Sequence, residues 1–233
     1  MNSRHSRQSG FSASLLPSGA GIVGIVDSPA AIRAARRLKA GAVDFLEWRA
    51  DRLGRGIVDS GVPWIVTVRH SAEGGANHLS TAQRRELALE LLPKAALLDL
   101  EVRSLTQMRG VIESAHAAGV GILASFHDFR KTPTTSRLRE TLQRAVDSGA
   151  AVVKIATVTE SAADISRLLG LFETSKLPLA LMGMGRLGMA SRIILASAGS
   201  VLNYGWLDQP NVPGQWSAKE LRAVLGKCIS PTS

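Results

Sequence analysis

The sequence predicts an α/β fold, a single-domain (β/α)8 barrel of the TIM type, and three observations predict it. From residue 21 onward, short apolar and β-branched runs alternate with longer stretches of helical period, the pattern of parallel strands joined by right-handed crossovers. Eight such units fit into about 210 residues, the size at which a parallel sheet of this kind closes on itself. The polar residues that could do chemistry sit at the carboxyl ends of the strand-like runs, where such barrels carry their sites. A doubly wound open sheet is the alternative arrangement of the same units.

Residues 1–20 come first. They are rich in Ser and Arg and carry no acid before Asp27. That composition suits a basic, flexible tail, or an organelle transit peptide, and lacks the apolar core of a secretory signal. The body, 21–233, is expected to be one catalytic domain. Strands are expected at 21–26 (GIVGIV), 43–49 (VDFLEWR), 64–69 (WIVTVR), 96–102 (ALLDLEV), 121–127 (GILASFH), 151–157 (AVVKIAT), 178–184 (PLALMGM) and 200–206 (SVLNYGW). Each is rich in aliphatic and β-branched residues. Helices are expected at 29–40, 80–93, 105–118, 135–148, 160–174, 188–198 and 217–228. Ser80 and Thr159 stand where N-caps belong, and Gly119 and Gly149 suit helix C-termini. The segment 52–61 is short and broken by glycine, so the second helix is expected to be poor or missing.

Composition narrows the function. The chain has 233 residues and is 45% hydrophobic, too apolar for a mainly disordered protein. No run of about 18 apolar residues could cross a membrane. The single cysteine, Cys228, leaves no internal disulfide to staple the fold. A cytoplasmic location is expected. Lys and Arg number 28 against 19 Asp and Glu, giving +9 at pH 7, and 21 of the 28 are arginine. Arginine forks bind carboxylates and phosphates in pairs, so the charge points to nucleic acid or to acidic small molecules. Aromatics are only 4%, too few for a stacking platform on single strands. The small-molecule reading is preferred, with neither nucleic acid nor membrane as partner. A homodimer is compatible with it.

The strand ends carry the candidates. Strand two ends in Glu47, Arg49 and Asp51, and the i, i+2 spacing points Glu47 and Arg49 the same way. Strand three ends in Arg69, followed by Glu73-Gly74-Gly75. Strand four carries Asp99 and Glu101, and strand five ends in His127-Asp128. Taken singly, Glu47 with Arg49 could be a structural ion pair, Arg69 a surface charge and His127 an ordinary histidine. Lys154 differs. It lies between Val152, Val153, Ile155 and Ala156 in a strand covered on both faces, where an unpartnered charge is costly. A desolvated lysine beside other cations can attack a carbonyl to form a Schiff base, and Arg49, Arg69 and Arg192 could supply that charge. A histidine on an adjacent strand can move protons. The set reads as imine catalysis on a carbonyl compound that also carries an anionic group. Cys228 and the other histidines show no metal-ligand spacing. G-M-G-R-L-G at 183–188 is rejected as a dinucleotide site, because it follows the seventh strand and no acidic ribose ligand stands about 20 residues on.

The motifs E-W-R-A-D (47–51), V-R-H-S-A-E-G-G (68–75), L-D-L-E (98–101), F-H-D-F (126–129), V-V-K-I-A (152–156), M-G-M-G-R-L-G-M-A-S-R (182–192) and P-G-Q (213–215) resemble, in order and spacing, the type I 3-dehydroquinate dehydratase family of the shikimate pathway. The resemblance covers roughly residues 21–228. It implies a (β/α)8 barrel that dehydrates 3-dehydroquinate to 3-dehydroshikimate through a lysine Schiff base, without metal or cofactor. It makes Lys154 the imine-forming residue, His127 the general acid and base, and Glu73 the carboxylate that holds His127. Glu47, Arg49 and Arg69 resemble the groups that bind substrate hydroxyls. Arg192 resembles the carboxylate clamp, Gln215 the lid residue above it, and Met182 and Met184 an apolar wall. Asn211 stands where the family usually has serine on its lid, and is expected to replace the serine contact. Tyr204 stands where the family commonly has Phe. Another Schiff-base lyase of the class I aldolase type, or a binding-only relative with an impaired lid, are the alternative functions.

Overall fold

The computed structural model describes residues 11–229. Eight strands, β1 (Gly21–Val26), β2 (Phe45–Arg49), β3 (Trp64–Thr67), β4 (Ala95–Glu101), β5 (Gly121–Asp128), β6 (Val152–Val158), β7 (Leu179–Met184) and β8 (Leu202–Trp206), form one parallel sheet in the order β7-β6-β5-β4-β3-β2-β1-β8. At the remaining seam the Val201 amide donates to the Leu179 carbonyl at 2.8 Å, so β8 comes back beside β7 and the sheet all but closes. The helices α1 (Pro29–Ala35), α2 (Ala50–Leu53), α3 (Thr81–Leu91), α4 (Arg109–Ala117), α5 (Thr135–Asp147), α6 (Ala162–Leu169), α7 (Gly188–Ser197) and α8 (Ala218–Cys228) alternate with the strands. The fold is the expected (β/α)8 barrel; the second helix, expected to be poor or missing over 52–61, is the single turn α2, which ends at Leu53.

Local chemistry sets the helix ends. Ser80 caps α3 in a reciprocal capping box with Gln83, as expected. Thr159 does not cap α6. That role falls to Ser161, whose hydroxyl accepts from the Asp164 amide while the Asp164 carboxylate reaches back to the Ser161 amide at 2.9 Å. Asp164 at the third helical position decides between the two hydroxyls. Thr159 is instead buried in the β6–α6 connection, its hydroxyl donating to the Met184 carbonyl at 3.2 Å. Gly119 and Gly149 take left-handed backbone with φ of 72° and 74° just beyond α4 and α5, where a side chain would be strained.

The strands separate two apolar regions. Outside the sheet, Trp48, Leu98, Leu100 and Met108 pack between strands and helices. Inside, Val23, Phe45, Ile65, Leu97, Leu123, Val152 and Leu202 fill the lower barrel. Alternate residues of a strand share a face, and along each inner face the character changes from apolar to polar. β4 presents Leu97, then Asp99 and Glu101; β5 presents Leu123, then Ser125 and His127; β6 presents Val152, then Lys154. The barrel therefore has a hydrocarbon floor and a charged ceiling. Phe11 and Leu16 pack against the floor. A Cβ at Gly121 would lie 2.7 Å from both the Phe11 ring and a Leu97 methyl, so glycine there makes room for the plug. Of the segment 1–20 expected to be a tail, residues 1–10 lie outside the described residues, and Ala13–Leu15 form a 3-10 turn.

Candidate active site

The charged ceiling encloses a cavity of about 360 Å³ at the carboxyl ends of the strands. The residues to which the resemblance gives a catalytic or binding role all line it: Glu47 and Arg49 on β2, Arg69 after β3, Glu73 in the 3-10 turn Ser71–Glu73, His127 on β5, Lys154 on β6, Met182 and Met184 on β7, Arg192 on α7, and Asn211 and Gln215 in the β8–α8 loop.

Lys154 is the one buried lysine among the described residues. Its Nζ donates to Glu47 Oε1 at 3.1 Å and to Asp99 Oδ2 at 3.2 Å, and lies 3.7 Å from the centre of the Tyr204 ring. The expected crowd of cations is not what surrounds it. A buried ammonium needs compensating charge, and two carboxylates and an aromatic face provide it. The nearby arginines pair with acids of their own. Arg69 reaches Asp99 at 2.7 Å and Glu101 at 3.3 Å, and Arg49 reaches Asp51 at 2.8 Å. Burial works against the charge of Asp99, yet Arg69 and Lys154 hold its pKa well below the usual carboxylate range.

Glu73 and His127 form a second unit. Glu73 Oε2 accepts from the His127 amide at 2.9 Å and contacts His127 Nδ1 at 3.0 Å. With Glu73 charged, Oε2 accepts from both nitrogens and Nδ1 carries the proton. Burial, then the charges of Arg69 and Lys154, push the His127 pKa well below its ordinary value. Burial pushes Glu73 up to about 7, against the pull of Arg69. The imidazole is thus neutral at pH 7, with the lone pair on Nε2. The Phe129 ring stacks on it, centres 6.2 Å apart.

Arg192 is buried without an acid. Its Nε donates to the Gly183 carbonyl at 3.1 Å and Nη1 to the Tyr204 carbonyl at 2.8 Å, and no carboxylate pairs with it among the described residues. Burial alone lowers its pKa to about 10, so it stays cationic at neutral pH. A buried cation facing an open cavity is an anion seat. Gly183 positions its helix: a Cβ there would stand 2.1 Å from Ser191 Oγ and 2.4 Å from Thr159 Oγ1, pushing α7 off β7. The loop above is anchored where the Gly185 amide donates to the Pro213 carbonyl at 3.1 Å. Within it the Asn211 amide donates to Gln215 Oε1 at 2.8 Å, and the Asn211 side chain donates to Asp27 beyond the end of β1.

Four buried partners had no role assigned from the sequence. Asp99 holds Lys154 and Arg69, and Ser125 donates to Asp99 at 2.6 Å. Thr67 donates to Glu47 Oε1 at 2.9 Å. Arg84 on α3 pairs with Glu101 and donates to the Val68 carbonyl at 2.9 Å. Two signals were available. The alternation in L-D-L-E puts Asp99 on the same face as Leu97, and Arg84 falls on the helical stripe of Leu87, Ala88 and Leu91. Among the described residues no three His, Cys, Asp or Glu side chains converge as a metal-ligand set.

Comparison with known proteins adds independent findings. The family model for type I 3-dehydroquinase matches residues 23–228. A 3-dehydroquinate dehydratase of Methanocella arvoryzae is 34% identical over 188 residues, covering 76% of this chain and 84% of the relative. One from Klebsiella pneumoniae is 34% identical over 207 residues, covering 78% and 81%. A solved type I 3-dehydroquinate dehydratase of Clostridium difficile, carrying covalently modified comenic acid, superposes with TM-score 0.78 at 26% identity, covering 91% of this chain and 93% of that one.

Proposed function

Because the chain belongs to the type I 3-dehydroquinase family and is an enzyme of that type, we propose that it dehydrates 3-dehydroquinate to 3-dehydroshikimate through an imine on Lys154. The observation that carries this is one cavity holding a buried lysine, a neutral histidine oriented by a carboxylate, and a buried arginine with no acid of its own.

Each part has a task. Arg192 takes the substrate carboxylate, supplying the counter-ion it lacks. Arg49 and Glu47, open to the cavity, bind hydroxyls, and Met182 and Met184 cover the apolar face of the ring. His127 takes a proton from the Lys154 ammonium through Nε2, and the amine attacks the carbonyl carbon. His127 returns that proton to the oxygen and then carries a second one to it from the carbinolamine nitrogen, so the oxygen leaves as water and a protonated imine remains. That cationic nitrogen acidifies the neighbouring C–H. His127 removes this proton, the electron pair moves onto nitrogen as an enamine, and the next carbon expels its hydroxyl as water on receiving the same proton. Water then hydrolyses the imine and frees Lys154. The net change is loss of one water. Glu73 holds the imidazole by Nδ1 throughout.

Borohydride added with 3-dehydroquinate reduces the imine irreversibly. Peptide mapping is expected to find the added mass on the peptide containing Lys154. Labelling on Lys131 or Lys176 would overturn the assignment. Lys154→Ala is expected to fold and to lose nearly all turnover.

A further inference from the structure

Tyr204 lies beneath the imine lysine and has a buried hydroxyl without a partner. Among the described residues, that hydroxyl and Arg167 Nε are the buried side-chain polar atoms that make no hydrogen bond. Leaving a donor unpaired in a buried site is costly, and a phenylalanine would serve packing alone. A count of donors around Lys154 shows what the hydroxyl could serve. The resting ammonium carries three N–H groups and spends one on Glu47 Oε1 and one on Asp99 Oδ2. A protonated imine carries a single N–H, because two of the bonds of the ammonium have become the double bond to substrate carbon. Once the imine forms, two carboxylates face one donor. Asp99 keeps Arg69 at 2.7 Å and Ser125 at 2.6 Å. Among the described residues, Glu47 Oε1 keeps only Thr67 at 2.9 Å. The loss falls on Glu47.

We propose that Tyr204 is a positioning residue for the imine step: its ring face holds the Lys154 ammonium at rest, and its hydroxyl donates to Glu47 when Lys154 is consumed. This rests on the imine reading above. The ring contact is a cation–π interaction in a desolvated site, and one side chain supplies both halves. Burial, then the charges of Glu47 and Asp99, raise the phenol pKa well above its ordinary value, so the hydroxyl stays protonated and able to donate.

The test is Tyr204→Phe, which keeps the ring and removes the hydroxyl, beside Tyr204→Leu, which removes both. In Tyr204→Phe the borohydride-trapped fraction and kcat are expected to fall about tenfold, KM to stay within about threefold, and thermal stability to hold or rise as the unpaired group disappears. Tyr204→Leu is expected to lose more kcat than Tyr204→Phe, since the ring no longer holds the Lys154 ammonium in place. A Tyr204→Phe enzyme that traps and turns over like the parent would show an idle hydroxyl and overturn the proposal, whatever Tyr204→Leu does. If the parent itself shows no mass on the Lys154 peptide, the imine reading and this proposal fall together. Trapping in the parent with an unaffected phenylalanine variant sinks only the proposal.

Discussion

Glu73 is a carboxylate placed to titrate where the enzyme works. Burial raises its pKa to about 7, and its charged form is the better acceptor for His127 Nδ1–H. As pH falls through 7, Glu73 is protonated, the imidazole loses its charged anchor, and turnover should drop. An acid limb near pH 7 in kcat/KM is therefore expected. In Glu73→Gln the amide oxygen still accepts but does not titrate, so the rate should fall roughly tenfold to a hundredfold and that limb should vanish. A limb that persists in the variant would assign it to another group. The linkage has the opposite sign in stability. A carboxyl with a raised native pKa stabilises most below its unfolded value, and loses that contribution as pH rises through 7. Glu73→Gln should accordingly gain more thermal stability at pH 8 than at pH 5. Single residues of this kind were legible from sequence when they stood at the carboxyl end of a strand, as Arg49, Arg69 and His127 do, or when, like Lys154, they put a charge inside an apolar one. Asp99 was visible but mute, because its role depends on two cations from β6 and from the end of β3 that only the closed barrel brings to it.

Among the elements, the β8–α8 loop bears on the cavity through Asn211 and Gln215. Asn211 donates to Asp27 by its side chain and to Gln215 by its backbone amide, so the loop is tied both to the end of β1 and to its own cavity residue. A serine hydroxyl is shorter than the amide. Asn211→Ser should therefore weaken the tie to Asp27 while leaving the backbone contact that holds Gln215. If Gln215 carries the contact to the substrate carboxylate, KM in Asn211→Ser should change by less than about tenfold, about 1.4 kcal/mol, with kcat little altered. A serine variant that gains activity from an almost inactive parent would instead show that the asparagine holds the loop in an unproductive position. The loop's contacts span 184 positions of chain, and no local pattern predicts such a pairing. The cap of α6 was missed for a different reason. Thr159 and Ser161 both suit an N-cap, and the choice turns on whether the residue three further on can return the bond. Asp164 does so for Ser161.

Over the whole molecule, the alternation of strands and helices was the most legible feature, because burial on both faces of a parallel sheet forces it into the sequence. Less legible was the division of the interior into floor and ceiling, which appears only once the inner faces of neighbouring strands are set side by side. That division has a consequence on a single strand. Leu97 and Asp99 are neighbours on the inner face of β4, both fully buried, but one belongs to the floor and the other to the ceiling. Leu97→Ala removes hydrocarbon from a packed layer that includes Phe45, Ile65 and Leu123, and such truncations cost about 2–5 kcal/mol. For a domain of this size each kcal/mol lowers Tm by roughly 2–4 °C, so a fall of about 4–20 °C is expected. The charged groups above need not move, and KM per folded enzyme should stay within about twofold. Asp99→Asn changes almost no volume. It removes the acid shared by Arg69 and Lys154, leaving buried cations short of compensation, and should abolish borohydride trapping while the fold survives in reduced stability. Thermal melts and trapping on both variants separate the cases. If Leu97→Ala lost trapping as completely as Asp99→Asn at a temperature where it is fully folded, the floor would be coupled to the chemistry and the division of labour along β4 would be wrong.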